Sequence, residues 1–328
     1  METGLSNPLS PRRVALFGEC MLELQGQAFG TLHQGYGGDT FNTAVYLARC
    51  SAAAGLQVRY ATALGDDSLS SGLLERWAAE GLDLGLVRRL PGRMPGLYMI
   101  DTDAHGERHF SYWRDSAAAR SYFEAGCETG AEATPTPLEA QSATLDMLYC
   151  SGISLAILPP AGRERLFALM QRLRARGAQV VFDNNYRPRL WPDLAVARAA
   201  YARAYGLAST ALVTLDDEQA LWGEPEAARQ LQLCLDLPPP EVVVKRGAAP
   251  TWVRAPGQPA AEVPAELVPR VVDTTAAGDS FAGAYLAARL AGAGPLAAAR
   301  AGNRLAARVV QHRGAIVPRQ AMHDLLGG

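Results

Sequence analysis

The chain has 328 residues, 48% of them hydrophobic and 20% charged, which is enough apolar material for a large core and rules out a disordered or fibrous protein. A formal net charge of -2 and a pI near 6.2, with no block of like charges, give no electrostatic footprint for nucleic acid or for an anionic membrane. Cysteines at 20, 50, 127, 150 and 234 form no C-x-x-C pair. They read as reduced thiols, and METGLSNPLSPRR lacks a secretory apolar region, so a cytoplasmic protein is expected.

In chain order, Val14–Phe17 followed by Gly18-Glu19 reads as a buried strand meeting a turn. Residues 21–36 and 93–114 read as hairpin material, the second with Asp103-Ala-His-Gly106 as its turn. Together they are expected to form a small sheet apart from the core. The Pro/Gly/Thr-rich piece from Gly126 to Pro137 reads as a surface loop. Short apolar runs at Met147–Cys150, Gln179–Phe182, Ala211–Thr214 and Glu241–Val244 have strand character, and the stretches Arg163–Arg176 and Asp193–Tyr205 have helical spacing. Alternation of this kind predicts an α/β fold with a mostly parallel central sheet flanked by helices, and ligands beyond the carboxyl ends of its strands. The expected division is an α/β core of residues 12–20, 37–92 and 115–328, with a β lid of residues 21–36 and 93–114.

The segment Val272-Asp-Thr-Thr-Ala-Ala-Gly-Asp279-Ser-Phe-Ala-Gly-Ala-Tyr runs a small-residue turn into an Ala-rich helix. Backbone N–H groups at such a helix start make an anion site. A carboxylate there repels phosphate, so Asp279 is assigned the proton of a nucleophilic hydroxyl while the amides of Ala276, Ala277 and Gly278 hold a phosphoryl group. A plain helix cap is the alternative role for Asp279. No G-x-x-x-x-G-K-[ST] and no kinase H-R-D set occurs. Of the 31 basic side chains only Lys245 is lysine, by chance or because a compact ammonium is wanted there.

The segment Asp273–Asp279 with Ser-Phe-Ala-Gly-Ala after it closely resembles the C-terminal signature of the ribokinase-like (phosphofructokinase-B) carbohydrate kinases. Gly37-Gly38-Asp39-Thr40-Phe41-Asn42-Thr43-Ala44 resembles their N-terminal signature, and the likeness spans nearly the whole chain. What the resemblance implies is a ribokinase-like fold, ATP as phosphoryl donor, a catalytic base at Asp279, and sugar contacts from Gly38 and Asn42. On the nucleotide side it implies Lys245 and Gly247 beside the phosphates, Asn303 near adenine, and Asn185. The family's Asn-x-x-Glu motif, tied to magnesium, is altered here, with Asp216 in the Asn place and Gln219 in the Glu place. Mg2+ is still expected, its ligands unassigned, and a monovalent cation such as K+ near Asp273 is implied by some relatives. A dimer through paired lids is expected from the same likeness.

Tyr98, Tyr112, Arg114 and Arg187 fall near the sugar site in this scheme. An arginine pair suits a carboxylate, which guanidinium binds as a fork, better than a neutral sugar. The stretch Asn184–Trp191, with Tyr112-Trp-Arg114 and Gly37-Gly-Asp-Thr, resembles the 2-keto-3-deoxygluconate kinases. That likeness implies phosphorylation of the sugar acid's terminal 6-hydroxyl, with Arg114 and Arg187 at the acid end and Tyr98 and Tyr112 orienting it; Trp113 and Trp191 are read as simple packing residues. A kinase for ribose, fructose or 5-keto-2-deoxygluconate is the runner-up, and a non-catalytic sugar or nucleotide sensor is the alternative from another class. A dinucleotide-dependent dehydrogenase is excluded by the lack of G-x-G-x-x-G after the first strand.

Overall fold

The computed structural model describes residues 12–52, 55–102, 108–124 and 134–326. The chain enters the core as β1 (Arg13–Phe17), leaves it for β2 (Met21–Gly26) and β3 (Leu32–Gly37), and returns through helix Asp39–Cys50 to β4 (Gln57–Ala61). A short parallel pair, β5 (Ala63–Leu64) and β6 (Arg88–Arg89), precedes a second excursion, β7 (Leu97–Thr102) and β8 (Arg108–Trp113). The remaining strands are β9 (Met147–Ser151), β10 (Gln179–Asp183), β11 (Thr210–Thr214), β12 (Glu241–Arg246), β13 (Ala249–Arg254) and β14 (Ala261–Val263).

Eight of these form the main sheet, in the order β14-β13-β12-β11-β10-β9-β1-β4. Pairing is parallel from β4 to β12 and antiparallel across β12, β13 and β14. The near-continuous apolar runs of the sequence follow from this, because a parallel sheet covered on both faces buries successive side chains on opposite sides. Leu148, Val180, Phe182, Val242 and Val244 join one apolar layer, while Tyr149, Val181, Leu212 and Val243 join the other. Helix Pro160–Ala175 starts three residues before the expected Arg163, since Pro160 supplies a preset φ at the first turn. Helix Leu194–Leu207 is capped by the Asp193 side chain, which accepts from Val196 N at 2.8 Å.

The second sheet has the order β3-β2-β7-β8. Two antiparallel hairpins are joined by the parallel pair β2–β7, so each excursion from the core needs the other to bury its inner edge. The turn Asp103–Gly106 and most of the Gly126–Pro137 stretch lie outside the described residues.

Helices Asp39–Cys50 and Ala277–Leu290 carry the two signature segments and pack directly on each other. Gly283 allows the approach: a Cβ there would lie 2.6 Å from Tyr46 Cβ and 2.9 Å from Leu47 N. Gly283→Ala is therefore expected to destabilise the fold by about 1–3 kcal/mol through overpacking, despite alanine's better helix propensity, as read by urea unfolding.

Candidate active site

A cleft of about 670 Å³ opens over the carboxyl ends of the parallel strands and beneath the second sheet. Asp183 ends β10, Thr214 ends β11, Lys245 stands near the end of β12, and all three line it. From the other side come Gly38, Asp39 and Asn42 at the start of one helix and Thr274, Thr275, Ala276, Gly278 and Asp279 at the start of another. Met21, Tyr98, Phe110 and Tyr112 cover it from the lid.

Asp279 is the third residue of helix Ala277–Leu290, whose capping position is held by Ala276 with no side-chain cap bond. Its Oδ2 instead accepts from Asn42 Nδ2 at 2.8 Å, which leaves Oδ1 to receive a proton. Ala276 lies in the left-handed region at φ 60°, a conformation that costs an L-residue roughly 1–2 kcal/mol and turns the chain sharply into the helix. Helix geometry leaves the first amides without intrahelical partners. Of the three amides expected to hold a phosphoryl group, that of Ala277 donates within the turn to Thr274 O at 3.2 Å.

The cleft is rich in carboxylates. Burial, and then the charges of Asp39 and Asp183, push Asp279 up to about 7, against the Asn42 hydrogen bond and the Lys245 ammonium, which favour its ionised form. Asp39 is likewise raised by burial, and its Oδ2 accepts from Asn185 Nδ2 at 2.9 Å. Asp183 accepts from Lys245 Nζ at 2.8 Å. Asp217 is raised by burial, although Arg187 Nη1 stands 3.3 Å from it.

Ten expected site residues line the cleft: Gly38, Asn42, Tyr98, Tyr112, Asn185, Arg187, Lys245, Ala276, Gly278 and Asp279. Tyr98 donates to Glu23 of the neighbouring strand and stacks on Tyr112 with ring centres 6.0 Å apart. The Arg187 side chain is half exposed and so keeps donors for a ligand. Four others stand elsewhere. Arg114 is buried at the foot of the lid in an ion pair with Glu19, because that carboxylate is itself buried and needs a counter-charge. Asn303 Oδ1 accepts from Thr251 at 2.9 Å and its Nδ2 donates to Pro264 O at 2.8 Å, so its amide fastens a loop. Gly247 forms the left-handed turn between β12 and β13. Ala277, the first residue of the helix, is not on the cleft wall.

Sequence reasoning passed over Asp39, Asp183 and Asp217. The first two had a legible signal, one directly after the Gly-Gly pair and one at a strand end. In the altered Asn-x-x-Glu stretch Asp216 is exposed, Asp217 faces the cleft, and Glu218 is buried, accepting from Asn184 and Tyr205. Trp191 is buried beneath the Arg163 guanidinium, 4.7 Å from the ring centre, while Trp113 is largely exposed.

A carboxyl group raised from 3.8 in the unfolded chain to about 7 in the folded one destabilises the fold when ionised. The penalty is absent below the unfolded value, grows as pH rises between the two, and is complete above the folded value. At roughly 1.4 kcal/mol per unit it is on the order of 4 kcal/mol. Asp279→Asn is expected to unfold at higher urea than the parent at pH 8, with the gap closing toward pH 4.

A family model described as pfkB family carbohydrate kinase matches residues 11–322. The 2-dehydro-3-deoxygluconokinase of Escherichia coli K12 is 45% identical over 313 residues, covering 95% of this chain and 99% of the relative. That of Dickeya dadantii is 46% identical over 316 residues, covering 96% and 99%. Among solved structures, the fructokinase of Xylella fastidiosa with bound ATP shares the fold with a TM-score of 0.77 at 23% identity, covering 96% of this chain and 98% of that one. With both signature segments meeting at one cleft and a family model spanning nearly its whole length, the chain belongs to the pfkB family of carbohydrate kinases.

Proposed function

We propose that the chain transfers the γ-phosphoryl group of ATP to the terminal hydroxyl of 2-keto-3-deoxygluconate, giving 2-keto-3-deoxy-6-phosphogluconate. The observation that carries the reading is the placement of Asp279: a raised, hydrogen-bonded carboxylate beside a helix start, in a cleft that also holds the Arg187 guanidinium. Relatives 45–46% identical over almost the full length bear that enzyme's name and support it.

Arg187 binds the substrate's carboxylate and Asp217 holds the guanidinium in place, while Tyr98 and Tyr112 wall the sugar chain. Asp279 takes the proton of the attacking hydroxyl onto Oδ1. The turn presents the backbone N–H groups of Ala276 and Gly278 to the transferring group, and no phosphoenzyme forms. Lid closure excludes water and suppresses ATP hydrolysis. Mg2+, when bound with ATP, spreads the phosphate charge.

The finer assignments belong to the same proposal. The Asp273 carboxylate accepts from Thr275 N, Thr275 Oγ1 and Gly314 N, so it shapes a loop, and a K+ ion there would be held by that loop's carbonyls. Exposed Phe29 and Trp113 on the lid fit a homodimer formed through paired lids. A cytoplasmic enzyme suits free thiols, and among the described residues no helix is long and apolar enough to cross a membrane.

The test is ATP consumption with Mg2+ against 2-keto-3-deoxygluconate, gluconate, ribose, fructose and 5-keto-2-deoxygluconate. Turnover confined to the first, and abolished by Asp279→Asn, is the expected result. A preference for a neutral sugar would remove the sugar-acid reading, and no turnover on any would favour a sensor. Arg187→Ala should raise KM for the sugar acid about 10–100-fold, the worth of a charge-assisted hydrogen bond. Since the base works ionised, kcat/KM should climb tenfold per pH unit and level off above about pH 7.

A further inference from the structure

Lys245 is the only lysine in the chain, and every other one of the 31 basic side chains is arginine. Its side chain is 10% exposed, and its ammonium is held by Asp183, whose side chain is 5% exposed, at 2.8 Å. A Cβ built on Gly278 would lie 3.5 Å from Lys245 Nζ, which puts the ammonium against the turn that starts the catalytic helix. Asp183 takes one of the three ammonium N–H groups, and Lys245 also lines the cleft.

The partner carboxylate is itself fixed from behind. Tyr149 Oη, fully buried, donates to the same Asp183 oxygen at 3.2 Å. Thr43 Oγ1 lies 3.4 Å from that phenol and 3.3 Å from the Asp279 carbonyl oxygen. Lys245, Asp183 and Tyr149 therefore form one hydrogen-bonded chain, and the single Thr43 hydroxyl proton, nearest to Asp39 O at 3.0 Å, lies against its far end. An ion pair this dry gains little stability over an apolar pair of the same size, and it holds its members in one geometry. A guanidinium is planar and larger, whereas an ammonium is a point charge that fits between a carboxylate and a tetrahedral phosphoryl group.

We propose that Asp183 and Tyr149 are positioning residues that aim the Lys245 ammonium at the transferring phosphoryl group. The inference rests on the kinase reading above and is independent of which sugar is used. The bond from the sugar oxygen to phosphorus forms as the bond to the β-phosphate oxygen breaks. The hydroxyl proton goes to Asp279, and ADP leaves. Lys245 makes and breaks no covalent bond. It offsets the charge on the phosphoryl oxygens, and Asp183 keeps it from folding back onto the Asp279 carboxylate. Around Lys245 the facing charged and titratable groups are Asp183, Asp217 and Asp279, with Asp39 and Tyr149 next to them.

A single lysine makes the test direct. Protein labelled only at lysine gives one side-chain resonance, read in the full-length enzyme with Mg2+ and a non-hydrolysable ATP analogue. The expected result is a nucleotide-dependent shift of that resonance in the parent, with little response to the sugar alone. Asp183→Asn and Tyr149→Phe should each change its position in the nucleotide-free protein. A resonance indifferent to nucleotide would overturn the proposal, whatever the sugar specificity.

Kinetics supply the second arm, run with whichever sugar turns over and on the pH-independent plateau of each variant, which for the parent lies above about pH 7. Asp183→Asn should lower kcat about 10–100-fold with the sugar KM unchanged, as expected for a displaced charge. Lys245→Met should lower it at least as much, and the double variant should be no slower than Lys245→Met alone. Losses that multiply in the double variant would show Asp183 acting on its own and sink the positioning role. Tyr149→Phe, which deletes one buried hydroxyl, keeps the question open to measurement if Asp183→Asn folds poorly.

Discussion

The hydrogen bond from Asn42 to Asp279 joins residues 237 positions apart and brings the two signature segments to one point. It depends on the crossing of helix Asp39–Cys50 over helix Ala277–Leu290, which in turn depends on a glycine at 283. Tyr46, one turn on from Asn42, donates to Ala315 O at 2.7 Å and so ties the C-terminal segment to the same crossing. Arg49, a further turn on, donates to Val317 O at 2.7 Å and pairs with Glu80. One helix thus fixes the proposed base, the cleft wall at Ala315 and the chain's end. The rest of the sheet serves to hold that helix beside the strand termini.

Around this crossing the protein collects more negative charge than a phosphate-handling site would choose on Coulomb grounds. Asp39, Asp183, Asp217 and Asp279 share the cleft with only Lys245 and Arg187. The arrangement is tolerable because each carboxylate has a partner of its own. Asn185 holds Asp39, Lys245 and Tyr149 hold Asp183, Arg187 holds Asp217, and Asn42 holds Asp279. Asn42 and Asn185 carry no charge, so they do not neutralise Asp279 and Asp39, and burial raises both. A proton acceptor near 7 is the consequence, suited to taking a proton from an alcohol at neutral pH.

Much of the layout was legible in the sequence because parallel strands buried on both faces write short unbroken apolar runs. Val242–Val244 and Val180–Phe182 are such runs, and the residues just beyond them lie at the cleft. The two glycine-containing signatures announced themselves by small residues that a packed core has no other use for. Partner choice was not legible. Nothing in the spacing of Arg114 tells that it meets Glu19, 95 positions away, rather than a substrate. Asn303 likewise reads as a polar group on a helix, and only folding shows that Thr251 and Pro264 occupy it. Periodicity reports which face of an element is buried, and it is silent on which of several buried partners a side chain takes.

The Glu19–Arg114 pair has a physical reason of its own. The chain passes between core and lid four times, and Glu19, Gly96 and Arg114 stand at three of those crossings, just before β2, just before β7 and just after β8. A Cβ on Gly96 would lie 2.5 Å from Glu19 Oε1 and 3.2 Å from Arg114 Cβ, so the three segments are in close contact at one spot. Burying both charges costs desolvation that an apolar pair would avoid, and burial raises the Glu19 carboxyl even beside the guanidinium. What the pair supplies is registry: it ties the strand that enters the lid to the strand that leaves it. Tied at its foot in this way, the second sheet holds Tyr98 and Tyr112, stacked across its paired strands β7 and β8, over the cleft.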